Sequence, residues 1–192
     1  MNRIVTRYRN TLAGVTDVAE RVPAERWQAP SPCPGWTALH VLGHLIDGQQ
    51  QIAALITGQG RREPRSHPMT AVAGEPVAAW AAAAAHMNDL LTAADPTAVA
   101  LTHDGTMTVE QVLATAAIEP LVHAWDLAQA AGIDVTLDPE AVDACLTAIA
   151  PMAEQFAATG MYAPARPAPA DAPPQQRLLA LLGRDGTVRA VS

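Results

Sequence analysis

Apolar residues at Ile4, Val5, Tyr8, Leu12, Val15 and Val18 return every three or four positions. That is the period of one buried helical face, and it predicts a helix from Ile4 to about Arg21, with Pro23 just past its end. The stretch APSPCPG from Ala29 to Gly35 is dense in proline and ends on glycine, so it reads as a connecting loop. Trp36 and Thr37 open a second helix, with Thr37 as candidate N-cap. Its apolar face carries Leu39, Leu42, Leu45, Ile46 and Leu55, and it stops at about Thr57, before Gly58 and Gly60. A third helix spans Pro76 to Ala93, with proline at a tolerated first-turn position and an alanine run that permits close approach of a neighbour.

The residues VALTHDGT, Val99 to Thr106, suit a short extended segment that turns at Asp104 and Gly105. Thr108 and Gln111 then have the spacing of a capping box for a fourth helix, Val109 to Ala131, ended by Gly132. Pro120 falls inside that span and predicts a kink. A fifth helix is expected from Pro139 to Ala158 behind an Asp138 cap. The proline- and alanine-rich run YAPARPAPADAPP, beginning at Tyr162, predicts a semi-rigid connector. It leads to a short amphipathic helix at Gln175 to Leu182, then a closing turn and strand-like tail at Arg184 to Val191. The fold class is therefore all-α, with a helical bundle over 1–160 and a connector and tail over 161–192 that pack on the same domain.

Composition supports this reading. A chain of 192 residues, 49% hydrophobic and only 4% aromatic, can bury one core without disulfides and favours close helix packing over strand pairing. The net charge is -7, and all 12 basic residues are arginine, which argues against nucleic acid as a partner. Arg61, Arg62 and Arg65 read as a solvated turn and receive no role. Cys33 and Cys145 are too few and too far apart in sequence for a disulfide framework or a thiolate metal site. No stretch has the length of a membrane span without a polar break, and MNRIVTRYRN lacks the apolar core of a signal peptide. The expectation is a soluble cytoplasmic protein, monomeric or homodimeric.

Glu119 and His123 stand four residues apart on the predicted fourth helix and so share one face. His44 lies on the second helix with mixed apolar and polar neighbours. Helical bundles form metal sites from ligands on facing helices, and two histidines with one carboxylate leave a coordination position open, as in reactive zinc. The same spacing also suits a surface ion pair or a metal-free acid–base pair, and spacing alone leaves these readings open. His40 and His44 are again four apart, so His40 is an alternative ligand. His67, His86 and His103 read as structural or exposed. Cys33, just ahead of a helix start, is a candidate nucleophile or redox thiol, with packing around Trp36 as the preferred alternative. Trp36 and Trp125 read as core residues close to the proposed ligands.

Two stretches together, PCPGWTALHVLGHL at Pro32 to Leu45 and EPLVHAWDLAQAAG at Glu119 to Gly132, resemble the DinB-like metal-binding bundles. More specifically, they are similar to the N-terminal domain of mycothiol-dependent maleylpyruvate isomerases and its single-domain relatives. LLGRDG at Leu181 to Gly186 is similar to the ending of those relatives. The resemblance implies an up-down-down-up four-helix bundle with an extra C-terminal helix, and metal ligands at His44, Glu119 and His123. It also implies zinc as cofactor, while nickel, iron or manganese suit the same nitrogen and oxygen donors, because affinity order alone does not select among them. The activity implied is transfer or isomerisation, in which a small thiol such as mycothiol acts on a small electrophile. Lyase or cyclase chemistry without thiol, and a non-catalytic binding module, are the other expectations. Asp126 is the candidate catalytic residue, placed to position a cofactor, shuttle a proton or hold a histidine ring by its other nitrogen. Gln49, Tyr8 and Arg9 are further polar candidates. Over these 192 residues no second domain of the isomerase type is expected, which separates the bundle and metal from any particular substrate.

Overall fold

The computed structural model describes residues 2–102, 105–158, 160 and 162–186, with only the backbone of Phe156. The first helix, α1 (Arg3–Arg21), starts where the Asn2 Oδ1 accepts from the amides of Ile4 and Val5 at 2.8 and 3.2 Å. It buries Val5, Tyr8, Leu12, Val15 and Val18, the periodic face read from the sequence. The second, α2 (Ala38–Ile56), follows Thr37, and the third is α3 (Pro76–Ala93). A hairpin of β1 (Val99–Thr102) and β2 (Gly105–Thr108) pairs Val99 with Thr108 and Thr102 with Gly105 in antiparallel register. The predicted turn at Asp104 and the histidine at 103 lie outside the described residues.

The expected fourth helix is two helices, α4 (Val109–Ala116) and α5 (Ile118–Ala131), separated at Ala117. The Thr108–Gln111 capping box is present: the Gln111 amide donates to Thr108 Oγ1 at 3.2 Å, and Gln111 Oε1 accepts from the Thr108 amide at 2.8 Å. Pro120 thus stands in the first turn of α5, and the break just before it is the interruption expected of a proline that cannot bond to, and clashes with, the carbonyl four residues back. Gly132, at φ 73°, ends α5 in the left-handed conformation. The expected fifth helix is also divided. It runs as α6 (Pro139–Ile149), a 3-10 turn at Ala150–Met152 containing Pro151, and α7 (Ala153–Ala158). After the proline-rich connector, α8 (Pro174–Leu181) packs against α6. Arg184 to Gly186 form no regular element, and the rest of the predicted tail lies outside the described residues.

The bundle is built from α1, α2, α3 and α5. Both α1 and α2 pack against both α3 and α5, which gives the all-helical, DinB-like arrangement with one small hairpin attached. Almost every residue of α5 is buried, so it is the central helix. Trp80 of α3, fully buried, donates from Nε1 to Thr16 Oγ1 of α1 at 2.9 Å. Among the described residues, no helix is long and apolar enough to cross a membrane.

One glycine sets the approach of the chain that follows α2. A Cβ at Gly43 would lie 2.3 Å from the carbonyl oxygen of Pro68, so the 3-10 turn at Pro68–Ala71 rests directly on the helix backbone. At Gly14 of α1 a Cβ meets nothing within 4 Å. Gly43→Ala is expected to lower unfolding free energy by about 1–3 kcal/mol through overpacking. Gly14→Ala should raise it by about 0.5–1 kcal/mol through helix propensity. Denaturant titration of the two variants checks the opposite signs.

Candidate metal centre

Glu119, His123 and Asp126 recur at intervals of four and three along α5 and form one stripe on its face. Opposite them stands His44 of α2. Its Nε2 lies 2.9 Å from Glu119 Oε2, and His123 Nε2 lies 3.3 Å from the same oxygen. The two imidazole rings meet edge to face, with centroids 5.0 Å apart, and the Trp36 ring leans on His44 at 5.1 Å. The structure thus brings His44, Glu119 and His123 together, with candidate donor atoms all within 4.8 Å of one another.

This set fits a divalent ion of zinc type. Bonds of about 2.0–2.2 Å at tetrahedral angles place neighbouring donors about 3.4 Å apart, close to the separations here. His123 Nδ1 lies 2.8 Å from Asp126 Oδ2, which fixes the ring and directs Nε2 toward Glu119 and His44. His40 takes another part. Its Nδ1 accepts from the Thr37 amide at 3.3 Å and lies 2.8 Å from Thr37 Oγ1, so it caps α2. His67 and His86 are exposed.

Three further residues complete the centre, two of them without a role in the sequence reading. The Tyr162 hydroxyl donates to Glu119 Oε1 at 2.5 Å. Arg184 forks onto Asp126, with Nε to Oδ1 at 3.2 Å and Nη2 to Oδ2 at 2.6 Å, and its guanidinium lies 5.6 Å from the centroid of the Tyr162 ring. Cys33 is part of this cluster and not only packing around Trp36. Its Sγ is 3.3 Å from Asp126 Oδ2 and 3.9 Å from both His123 Nδ1 and Arg184 Nη2. Cys33, His123 and Asp126 form a second group with cation-binding spacing, but Arg184 already supplies the positive charge there. For Arg184 the sequence signal was its place in LLGRDG; Tyr162 had none.

Burial opposes charge throughout the cluster. At Glu119 it is outweighed by the hydrogen bonds and charges of His123 and His44, which hold the carboxyl well below the usual carboxylate range. At His123 it is outweighed by hydrogen bonds to Asp126, Cys33 and Glu119, which raise the imidazole well above its ordinary value. Asp126 is lowered to about 2 because His123 and Arg184 together overcome its desolvation. Burial and the neighbouring Glu119 charge push the Tyr162 hydroxyl upward, so it remains a donor.

The centre opens onto a cavity of about 1330 Å³. Gln49, buried in its wall, accepts from the Tyr8 hydroxyl at 2.9 Å. Arg9 lies away from this wall, bonded to Asn88 and Thr92 of α3. Trp36 and Trp125 both line the cavity, Trp125 being buried and Trp36 half-buried. Of the three arginines assigned no role, Arg61 and Arg62, both exposed, line the cavity. Arg65 is tied to buried Asp47 through its amide at 2.9 Å and its Nε at 3.2 Å.

Residues 8–128 match the model of the mycothiol maleylpyruvate isomerase N-terminal domain family, well over half of the chain. The chain belongs to that family. An uncharacterized protein of Mycobacterium tuberculosis, found in two strains, is similar to this chain over most of its length. It is 34% identical over 173 residues, 88% of this chain and 89% of the relative. A crystal structure of the mycothiol-dependent maleylpyruvate isomerase aligns with a TM-score of 0.56, over 82% of this chain and 71% of that one. At 18% identity, this likeness carries the fold.

The centre's electrostatics make a distinct stability prediction. Asp126 has no exposed surface, whereas the Glu119 side chain is 37% exposed. In chelator-treated protein, Asp126→Asn is expected to cost about 3–5 kcal/mol, because it strands Arg184, whose side chain is only 10% exposed. Glu119→Gln should cost much less. Paired denaturant curves measure the difference.

Proposed function

We propose that this chain is a divalent-metal-dependent enzyme, with zinc as the first candidate, that activates a small thiol such as mycothiol. The thiol is transferred to a small electrophile or assists its isomerisation. The observation that carries this reading is the convergence of His44, Glu119 and His123 at the wall of a large cavity, in a member of a family whose description names mycothiol. Two imidazoles and one carboxylate are a donor set that leaves a coordination position open for a reactant. When bound, a cation of this kind supplies Lewis acidity that lowers the pKa of a thiol and stabilises negative charge on an oxygen.

The chain's own residues account for the rest. His44 and His123 offer ring nitrogens, and Glu119 turns Oε2 toward both. Asp126 has both oxygens engaged by Arg184 and His123 and no exposed surface. Of the roles open to it, holding the His123 ring is the one this geometry supports, and direct proton exchange with a substrate is not. Trp36 shields His44 from one side, and the Gln49 amide, fixed by Tyr8, adds a polar group to an otherwise largely apolar wall. The cavity volume exceeds the roughly 300–1,000 Å³ of ordinary small-molecule pockets, which leaves space for a thiol and an electrophile together.

The test is elemental analysis of untagged protein followed by a thiol panel against small electrophiles, with and without chelator. About one divalent ion per chain is expected, with thiol consumption lost on chelation and restored by zinc. His44→Ala should lose both metal and turnover. Thiol transfer that survives complete metal removal would rule the proposal out.

A further inference from the structure

The three donors, together with Asp126, all lie within residues 8–128, the span matched by the family. Tyr162 and Arg184 lie beyond it, on the connector and on the turn after α8. They nevertheless reach the centre from its outer side, at two different points. Tyr162 donates to the Glu119 oxygen that does not face the histidines, and Arg184 forks onto the carboxylate that holds His123.

We propose that the C-terminal segment, residues 162–186, is a working part of the metal centre, with Tyr162 and Arg184 as positioning residues for Glu119 and His123. This rests on the metal-binding reading above.

Each donor would be less constrained without that segment. A glutamate side chain has three rotatable torsions, and either oxygen can turn toward a cation. With Oε1 engaged by Tyr162, only Oε2 is left to face His44 and His123. On its Nδ1 side His123 is held by a short bond to Asp126 and a longer contact with Cys33, and the Asp126 carboxylate is buried with no solvent contact of its own. Arg184 supplies both the opposite charge and two directed N–H groups, which fix the carboxylate plane and through it the ring. Arg184 is in turn anchored by Nη1 to the Leu182 carbonyl at 2.9 Å and by the Tyr162 ring beneath its guanidinium. The two positioning residues therefore support each other and arrive on one segment.

The segment is seated independently of the centre. The Arg166 amide donates to the Ala180 carbonyl at 2.8 Å, folding the connector back along α8. The Gln175 side chain bonds to the Leu137 amide and the Val135 carbonyl at 2.9 and 3.2 Å, in the loop ahead of α6. Gly183, at φ 81°, permits the turn that delivers Arg184.

The experiment uses the full-length protein stripped of metal and titrated with zinc and with cobalt(II) against a chromophoric chelator. Arg184→Gln is expected to weaken both affinities by up to about tenfold, the lower end of the effect usual for the direct outer partner of a ligating histidine, because it acts on His123 through Asp126. Arg184→Lys should recover part of the loss by restoring charge without the fork. Tyr162→Phe frees Glu119 Oε1, so the cobalt(II) absorption spectrum should change in position or intensity while the thermal melt of the metal-free protein stays close to wild type. If Arg184→Gln fails to fold, the Tyr162→Phe spectrum and the Arg184→Lys affinity decide the matter. Wild-type affinity and spectrum in both of these variants would overturn the inference and leave the metal reading intact. A wild-type protein that binds neither ion would overturn both.

Discussion

A carboxylate with no exposure to solvent persists as an anion only where donors and positive charge reach it, and Asp126 sets that requirement at the centre of this molecule. Its needs are met from three parts of the chain: His123 one turn earlier on α5, Cys33 from the proline-rich loop before α2, and Arg184 from the turn after α8. Their convergence ties the loop, the central helix and the tail to one point. His44 on α2 then meets the far side of the same histidine, so the arrangement of four separated segments follows from neutralising one buried group.

The same principle recurs along α2, where it seats a loop instead of a site. Asp47 is buried and accepts from the Gln51 side chain and from the amide and side chain of Arg65. The arginine-rich connection after α2 is thereby drawn against the helix, with Arg61 and Arg62 lining the cavity. One buried aspartate thus anchors the site and the other a loop that borders the cavity. The cavity wall is mainly apolar, with the Tyr8–Gln49 pair as a polar inset.

Periodicity served well where one face of a helix alone is buried. The α1 face, the α2 start at Thr37, the capping box at Thr108 and the stop at Gly132 all stand where local patterns put them. It failed at α4 and α5, because the apolar pattern runs through Ala117 without a change of phase and α5 is buried on nearly all sides. It failed again at Pro151, which an alanine-rich surrounding disguised. Convergence of His44 with Glu119 and His123 could be posed from spacing and sharpened by a family resemblance, since each lies on a recognisable helix. Spacing could not place Tyr162, Arg184 or Cys33, although Cys33 and Arg184 fall in stretches that share the family resemblance. They sit on irregular chain far from α5 in sequence, where no period relates one residue to another and only the folded path brings them near.

The interruption at Ala117 has an electrostatic consequence. In an unbroken helix from Val109 to Ala131, Glu119 would stand near the middle, where the aligned peptide dipoles leave little net field. Because α5 begins anew at Ile118, Glu119 occupies its first turn, where the positive end of the helix dipole favours a negative side chain. The helix end therefore leans toward the anionic form of this one side chain, while His123 and Asp126, a turn or two further in, depend on their neighbours. A single irregular residue between two helices in this way divides the stripe into a member biased by backbone and members governed by side chains.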